Sequence, residues 1–220
     1  MRRCLITATL LSIQVGPIAP LGPEGVPSAF NKRPIEGSVK VEHLGLVGDA
    51  QADLAVHGGP EKAIYAYAAG HYAVWAEDCP QHRDQLFPGG FGENLTIEGM
   101  AERDLCVGDV HRIGSAVLQV CQPRQPCFKL SLHFDDNKLP KAMVRNGRAG
   151  WYYRVLEPGE IIAGDAVSLV ERPHPEFRFE RLIEIVNFGK ASHDEIQAMA
   201  DMTGLASRLR ARAGAALRSA

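Results

Sequence analysis

The sequence predicts an α+β protein: a β-rich body over residues 1–172, followed by a small C-terminal three-helix subdomain over residues 173–220. Three observations carry this. Twenty-two glycines and 14 prolines are spread among Val, Ile and Thr, the composition of short strands joined by tight turns. After Pro173-His174-Pro175 the apolar residues change from strand-like alternation to helical spacing. A chain of 220 residues, 45% hydrophobic and 23% charged, can bury a core of ordinary size without staples.

At the N-terminus, MRRCLITATLLSIQV has the outline of a signal peptide, but Leu11, Ile13 and Val15 alternate with Ser12 and Gln14. No small-residue cleavage site precedes Pro17, so the segment reads as a first strand, Thr9 to Val15. Further strands are expected over Gly37 to Val41, Val117 to Cys121 and Ala166 to Val170. Gly48-Asp49, Gly108-Asp109 and Gly164-Asp165 should mark turns, because glycine admits positive φ and aspartate hydrogen-bonds locally. Ala63 to Tyr67 fits strand or helix, while His71 to Glu77 reads as a helix stopped by Pro80. In the tail, Phe179, Leu182, Ile183 and Val186 share one helical face ending at Gly189. Ser192-His193-Asp194-Glu195 has the form of a capping box. Leu205, Leu209 and Ala213 space a third helix. Helices this short need a partner surface, and the β body is the expected one.

Charge and cysteine content narrow the function classes. The net charge is −2, which gives no sign of the basic face a duplex-binding protein carries. Arg208, Arg210, Arg212 and Arg218 read as a solvated face near a helix C-terminus, and no direct nucleic-acid binding is expected. Five cysteines at irregular spacing contain no Cys-x-x-Cys, which fits reduced thiols in the cytoplasm. No apolar stretch is long enough to span a bilayer, so no membrane partner is expected.

The densest chemical passage is Gln122-Pro123-Arg124-Gln125-Pro126-Cys127-Phe128-Lys129. Its prolines fix a loop that holds Cys127 between Arg124 and Lys129. Nearby cations favour thiolate, which makes the sulfur a nucleophile or a soft-metal ligand. A buried structural cysteine is the other reading of the same residues. His133, six residues on, can return a proton-transfer group to this region; equally, it can be a satisfied core histidine. Ser28 to Pro34 offers Lys32 and Arg33, His57-Gly58-Gly59-Pro60 a histidine beside open backbone amides, and Phe91 to Leu95 the pair Glu93 and Asn94. Taken together, Lys32, Arg33, His57, Arg124 and Lys129 would suit a phosphorylated ligand. No Walker loop or dinucleotide fingerprint is present.

In this order, Ser28-Ala29-Phe30-Asn31-Lys32, Gly45-Leu46-Val47-Gly48-Asp49, His57-Gly58-Gly59-Pro60, Phe91-Gly92-Glu93-Asn94-Leu95 and the Pro-Arg-x-Pro-Cys loop resemble the MOSC domain. Gly147-Arg148-Ala149-Gly150-Trp151-Tyr152-Tyr153-Arg154 and the helical tail are similar to its YiiM-like subgroup. The resemblance implies a barrel-like β domain that binds the molybdenum cofactor, a pterin dithiolene carrying a phosphate, rather than pyridoxal phosphate. It further implies reduction of N-hydroxylated base analogues such as 6-hydroxylaminopurine, with electrons from an unidentified donor protein. Cys127 would be the metal ligand, with Arg124 and His133 as its catalytic neighbours. Lys32, His57, Glu93, Asn94, Lys129 and Arg148 would contact the cofactor. A sulfur carrier using a Cys127 persulfide, or a cofactor-binding chaperone without turnover, are the alternatives. Cys121 stands where serine is common in the family. None of the family-matching loops lies in the tail, which is expected to contribute nothing to the chemistry.

Overall fold

The structure, a computed structural model, describes residues 8–53 and 58–219. Among the described residues, thirteen strands and six α-helices follow one another. The first six strands are β1 (Ala8–Val15), β2 (Ala19–Leu21), β3 (Val26–Ser28), β4 (Arg33–Pro34), β5 (Val39–Glu42) and β6 (Gly45–Leu46). Next come β7 (Ile64–Ala68), α1 (Gly70–Asp78), β8 (Leu95–Glu98), β9 (Val110–Ile113) and β10 (Ala116–Pro123). The helices α2 (Phe128–Phe134) and α3 (Leu139–Asn146) precede β11 (Trp151–Glu157), β12 (Gly159–Ile161) and β13 (Ala166–Glu171). The tail is α4 (Phe179–Phe188), α5 (His193–Asp201) and α6 (Ser207–Ser219).

Seven strands close a barrel in the order β1, β8, β7, β11, β10, β9, β13, with β13 returning to β1. All its pairings are antiparallel except β7 with β8. Closure removes the sheet edges that would otherwise remain unpaired.

The strand β7, Ile64-Tyr65-Ala66-Tyr67-Ala68, is buried on both faces, which is why its sequence shows no clear period. Ile64, Ala66 and Ala68 point into the barrel core with Leu10, Ile97, Leu118 and Trp151. Tyr65 and Tyr67 point outward into a second cluster with Trp75 of α1, Phe91, Phe134 of α2 and Met143 of α3. The helices α1 to α3 therefore cover this flank of the barrel.

The expected strands and the His71 helix all form, and all three Gly-Asp glycines have positive φ (92°, 80° and 100°). Gly189 ends α4 in the left-handed region, and Ser192 and Glu195 form the reciprocal capping box on α5. Phe179, Leu182 and Leu205 are fully buried in the same cluster as the barrel interior, so the tail helices complete the main core. Among the described residues, no helix is long and apolar enough to cross a membrane.

Candidate functional site

On the outer face of β7 and β11 lies a cleft of about 670 Å³ that is open to solvent. The loops after β3, β6 and β10, the turn before β7, and β7 and β11 themselves form its walls. Lys32, Asn94, Arg124, Cys127 and Lys129, widely separated in sequence, all line it. His57 lies outside the described residues.

Cys127 is half-buried and occupies the N-cap position of α2 with extended backbone (φ −121°, ψ 173°). Arg124, three residues earlier, is fixed by its backbone N–H donating to Gly150 O at 3.2 Å. Its guanidinium is buried, donates to Met143 Sδ at 3.0 Å and lies 5.6 Å from the centre of the Tyr65 ring. Among the described residues, no carboxylate pairs with it. A buried cation held only by a thioether and an aromatic face favours an incoming anion.

Lys32 faces the same space but is neutralised. Its ammonium is bound to the Asp49 carboxylate, and both side chains are almost fully buried. Burial lowers the Lys32 pKa, while Asp49 opposes that shift. Asp49 also accepts from Gly16 N at 2.9 Å and from Asn94 Nδ2 at 2.8 Å. The Asn94 amide is committed further, accepting from Tyr65 N at 3.1 Å and donating to Gln14 O at 3.2 Å. Asn94 therefore frames the cleft, with its two amide N–H groups already used.

Four residues from the sequence reading fall elsewhere, the first of them Arg33, which is exposed on β4. Glu93 is fully buried behind the cleft wall, where its carboxylate accepts from Tyr72 Oη, Gly89 N (2.7 Å), Phe91 N (3.2 Å) and Thr96 Oγ1 (2.9 Å). It organises the turn before β8 and has no face toward a ligand. Gly92, in that turn at φ 78°, packs against Phe30 so closely that a Cβ would lie 3.1 Å from the ring. Arg148 binds Asp78 at 2.7 Å and stacks over Trp75 at 5.2 Å, on the α1 side of the covering layer. His133 sits behind Phe30, with ring centres 4.7 Å apart and Nδ1 3.0 Å from Asn31 Oδ1. Burial lowers its pKa, and it does not reach the cleft.

The cleft also holds Asp49, Gln51, Lys62, Tyr65 and Tyr152, which the sequence reading does not single out as ligand contacts. Lys62 Nζ lies 5.8 Å from the centre of the Tyr152 ring, and the Tyr65 and Tyr152 rings are 5.4 Å apart. Burial lowers the Lys62 pKa, and the Arg208 charge adds to that effect. Lys129 donates to Pro27 O at 3.1 Å across the mouth. Lys62 follows the Gly58-Gly59-Pro60 turn directly, and that proximity is the signal available in the sequence.

Cys121 differs from Cys127. It is fully buried on β10, its thiol donates to Glu61 O at 3.0 Å, and burial pushes its pKa up to about 12. Among the described residues, no cysteine forms a disulfide.

Comparison with known proteins agrees with this architecture. The MOSC domain family model matches residues 53–168. The chain is 42% identical over 150 residues to Protein YiiM of Escherichia coli, covering 68% of this chain and 67% of that one. It is 36% identical over 199 residues to a protein of Gibberella moniliformis named Reductase; this match covers 89% of the chain but only 35% of the fungal protein. The crystal structure of YiiM from Geobacillus stearothermophilus superposes with a TM-score of 0.80 at 32% identity, covering 96% of this chain and 99% of that one. The chain belongs to the MOSC domain family and is YiiM-like within it.

Proposed function

We propose that the chain is an oxidoreductase that uses the molybdenum cofactor to reduce N-hydroxylated compounds of the 6-hydroxylaminopurine type to their amines. The observation that supports this most is the meeting of a thiol, Cys127, with a buried guanidinium, Arg124, that lacks a carboxylate among the described residues. A dithiolene-bound metal with a phosphate needs a soft ligand and cations, and the cleft offers both. Cys127 would ligate the metal, Arg124, Lys62 and Lys129 would take the phosphate, and Tyr65 and Tyr152 would flank the pterin. When bound, the cofactor supplies two electrons to the N–O bond.

The balance is R–NH–OH plus two electrons and two protons, giving R–NH2 and water. The chain's own part is binding and proton supply. Tyr65 donates its hydroxyl to Ala149 O at 2.8 Å, whereas the Tyr152 hydroxyl makes no hydrogen bond among the described residues. Burial raises the Tyr152 pKa, so the phenol stays protonated and able to donate to the departing oxygen. Electrons would come from a separate donor protein. The fungal relative named Reductase supports the oxidoreductase class.

Molybdenum and pterin analysis of protein purified from a cofactor-competent host, followed by N–OH reduction with reduced methyl viologen, tests the reading. Bound molybdenum with turnover supports it. Metal-free protein carrying a Cys127 persulfide would favour the sulfur carrier. Bound cofactor without turnover would favour the chaperone.

A further inference from the structure

Beside the Cys127 loop, on the outside of the covering layer, lies a shallow groove lined by Pro126, Lys138, Pro140, Lys141, Val144 and Arg145. We infer that this groove is the docking surface for an acidic electron-carrier protein, in which Lys138, Lys141 and Arg145 receive the carrier's carboxylates. The inference rests on the reductase reading and names its partner class.

The placement follows from α3. Lys138, Lys141 and Arg145 recur at intervals of three and four residues, which puts them on one helical face. Leu139 and Met143 occupy the opposite face and are buried. All three cations are exposed, and among the described residues none has an ion-pair partner within 4 Å. The acidic residue facing this end of α3 is Asp136, which accepts from Lys138 N and is bound to His82 at 3.0 Å. At the other end of α3, Arg145 also borders Glu180 and Glu184, the latter bound to Arg181 at 2.7 Å. The groove lining itself holds three cations and no acid, over a partly apolar floor of Pro126, Pro140 and Val144.

Two covalent and packing links join the groove to the cleft. Pro126 in the groove wall is bonded to Cys127 in the cleft wall. Met143, on the inner side of α3, contacts the Arg124 guanidinium at 3.0 Å. A carrier seated outside α3 is thus separated from the cleft by α3 itself and the Met143–Arg124 contact on its inner side. The carrier is oxidised by one electron per encounter, and two encounters supply the electron pair that cleaves the N–O bond. Cations around an apolar floor steer such an encounter by charge complementarity. Nucleic acid is the less favoured occupant, because three cations on one short helix do not track a backbone and no aromatic ring lines the groove.

The test uses the full chain and a flavodoxin as probe. Binding is measured by titration at low and at physiological salt, and turnover is driven either by reduced flavodoxin or by reduced methyl viologen. Charge reversal (K138E, K141E and R145E together) should weaken flavodoxin binding by roughly tenfold or more. It should lower flavodoxin-driven turnover to match and leave methyl-viologen turnover unchanged. The neutral set (K138Q, K141Q and R145Q) should give a smaller loss in the same direction, and far-UV circular dichroism checks the fold of both. Flavodoxin that fails to bind the wild-type chain, or binds both folded variants as tightly as wild type, would overturn the inference. So would oligonucleotide binding that the reversal abolishes while flavodoxin binding is unaffected. Binding is read without turnover, so a chain inactive with methyl viologen would refute the reductase reading while the docking result stands on its own.

Discussion

Glu61 and Ser207 join the edge of the cleft to the start of the last helix. Both Glu61 carboxylate oxygens accept from Ser207 N at 2.9 Å, and one accepts from Ser207 Oγ at 2.8 Å. Arg154 donates to the same carboxylate at 2.8 Å, while the Glu61 carbonyl receives the Cys121 thiol and Gln122 Nε2. The carboxylate acts at the N-terminus of α6, where unpaired N–H groups and the helix dipole favour an anion. Although the tail lines no part of the cleft, it grips the residue next to Lys62.

Replacing Glu61 with Gln should therefore loosen α6 and lower stability by about 1 to 2 kcal/mol, the usual cost of losing a charge-assisted cap. Urea denaturation measures this. Hydrogen exchange should rise at the first turn of α6 and at Lys62 together. Faster exchange at α6 alone would show that the latch does not hold the cleft edge.

Cys121 on β10 and Cys127 in the loop that follows should separate chemically. With its pKa near 12 and its thiol donating to Glu61 O, Cys121 should resist Ellman's reagent in the native protein and react only on unfolding. Cys127, half-buried at the cleft, should react natively, and Cys127→Ser should remove that signal, together with bound molybdenum, at a stability cost below about 1 kcal/mol. An unchanged number of natively reactive thiols in Cys127→Ser would refute the assignment.

Acid should weaken the fold partly through His111. This imidazole is buried beside Tyr153, with Nδ1 2.7 Å from the hydroxyl, and burial lowers its pKa to about 4. Asp109 opposes that shift and Arg172 adds to it. The unfolded chain takes up the proton near pH 6.5 and the folded one only near 4, so stability is full above about 6.5 and falls as pH drops toward 4. The loss is on the order of 3 kcal/mol. Relative to wild type, His111→Gln should flatten the stability curve between those limits; an unchanged slope would show that His111 is not the group titrating there.

Local features are legible in the sequence and long-range ones are not. The Ser192–Glu195 capping box and the Gly189 stop depend on residues within one turn of each other, and both form as read. The Pro-Arg-x-Pro-Cys loop likewise declares itself through its prolines. Tyr152 joins the site only through the pairing of β7 with β11, which sets it opposite Tyr65. Nothing near Tyr152 in the chain reveals that register. Glu93 shows the converse: a carboxylate beside glycine looks like a ligand contact, yet three nearby donors and the Tyr72 hydroxyl turn it inward.

The two buried cations of the cleft should respond differently to removal. Lys32 is buried with Asp49, so Lys32→Met leaves that carboxylate buried beside Asn94 without its countercharge. Breaking such a pair from one side costs about 3 to 5 kcal/mol. Arg124 has no carboxylate to strand among the described residues; its partners are Met143 Sδ and the Tyr65 ring. Arg124→Met removes a desolvated charge and keeps an apolar side chain against both neighbours. The loss of the cation–π contact, about 1 to 2 kcal/mol, is offset by relief of that desolvation. The metal-free protein should therefore stay within about 1 kcal/mol of wild type in denaturation, or exceed it, as expected when a buried ionic group is replaced by an apolar one. Bound molybdenum and pterin should nevertheless be lost, because the cation that draws the anionic group into the cleft is gone. Arg124→Met as unstable as Lys32→Met would mean that the guanidinium is structural, and a stable variant that keeps its cofactor would remove Arg124 from the binding set.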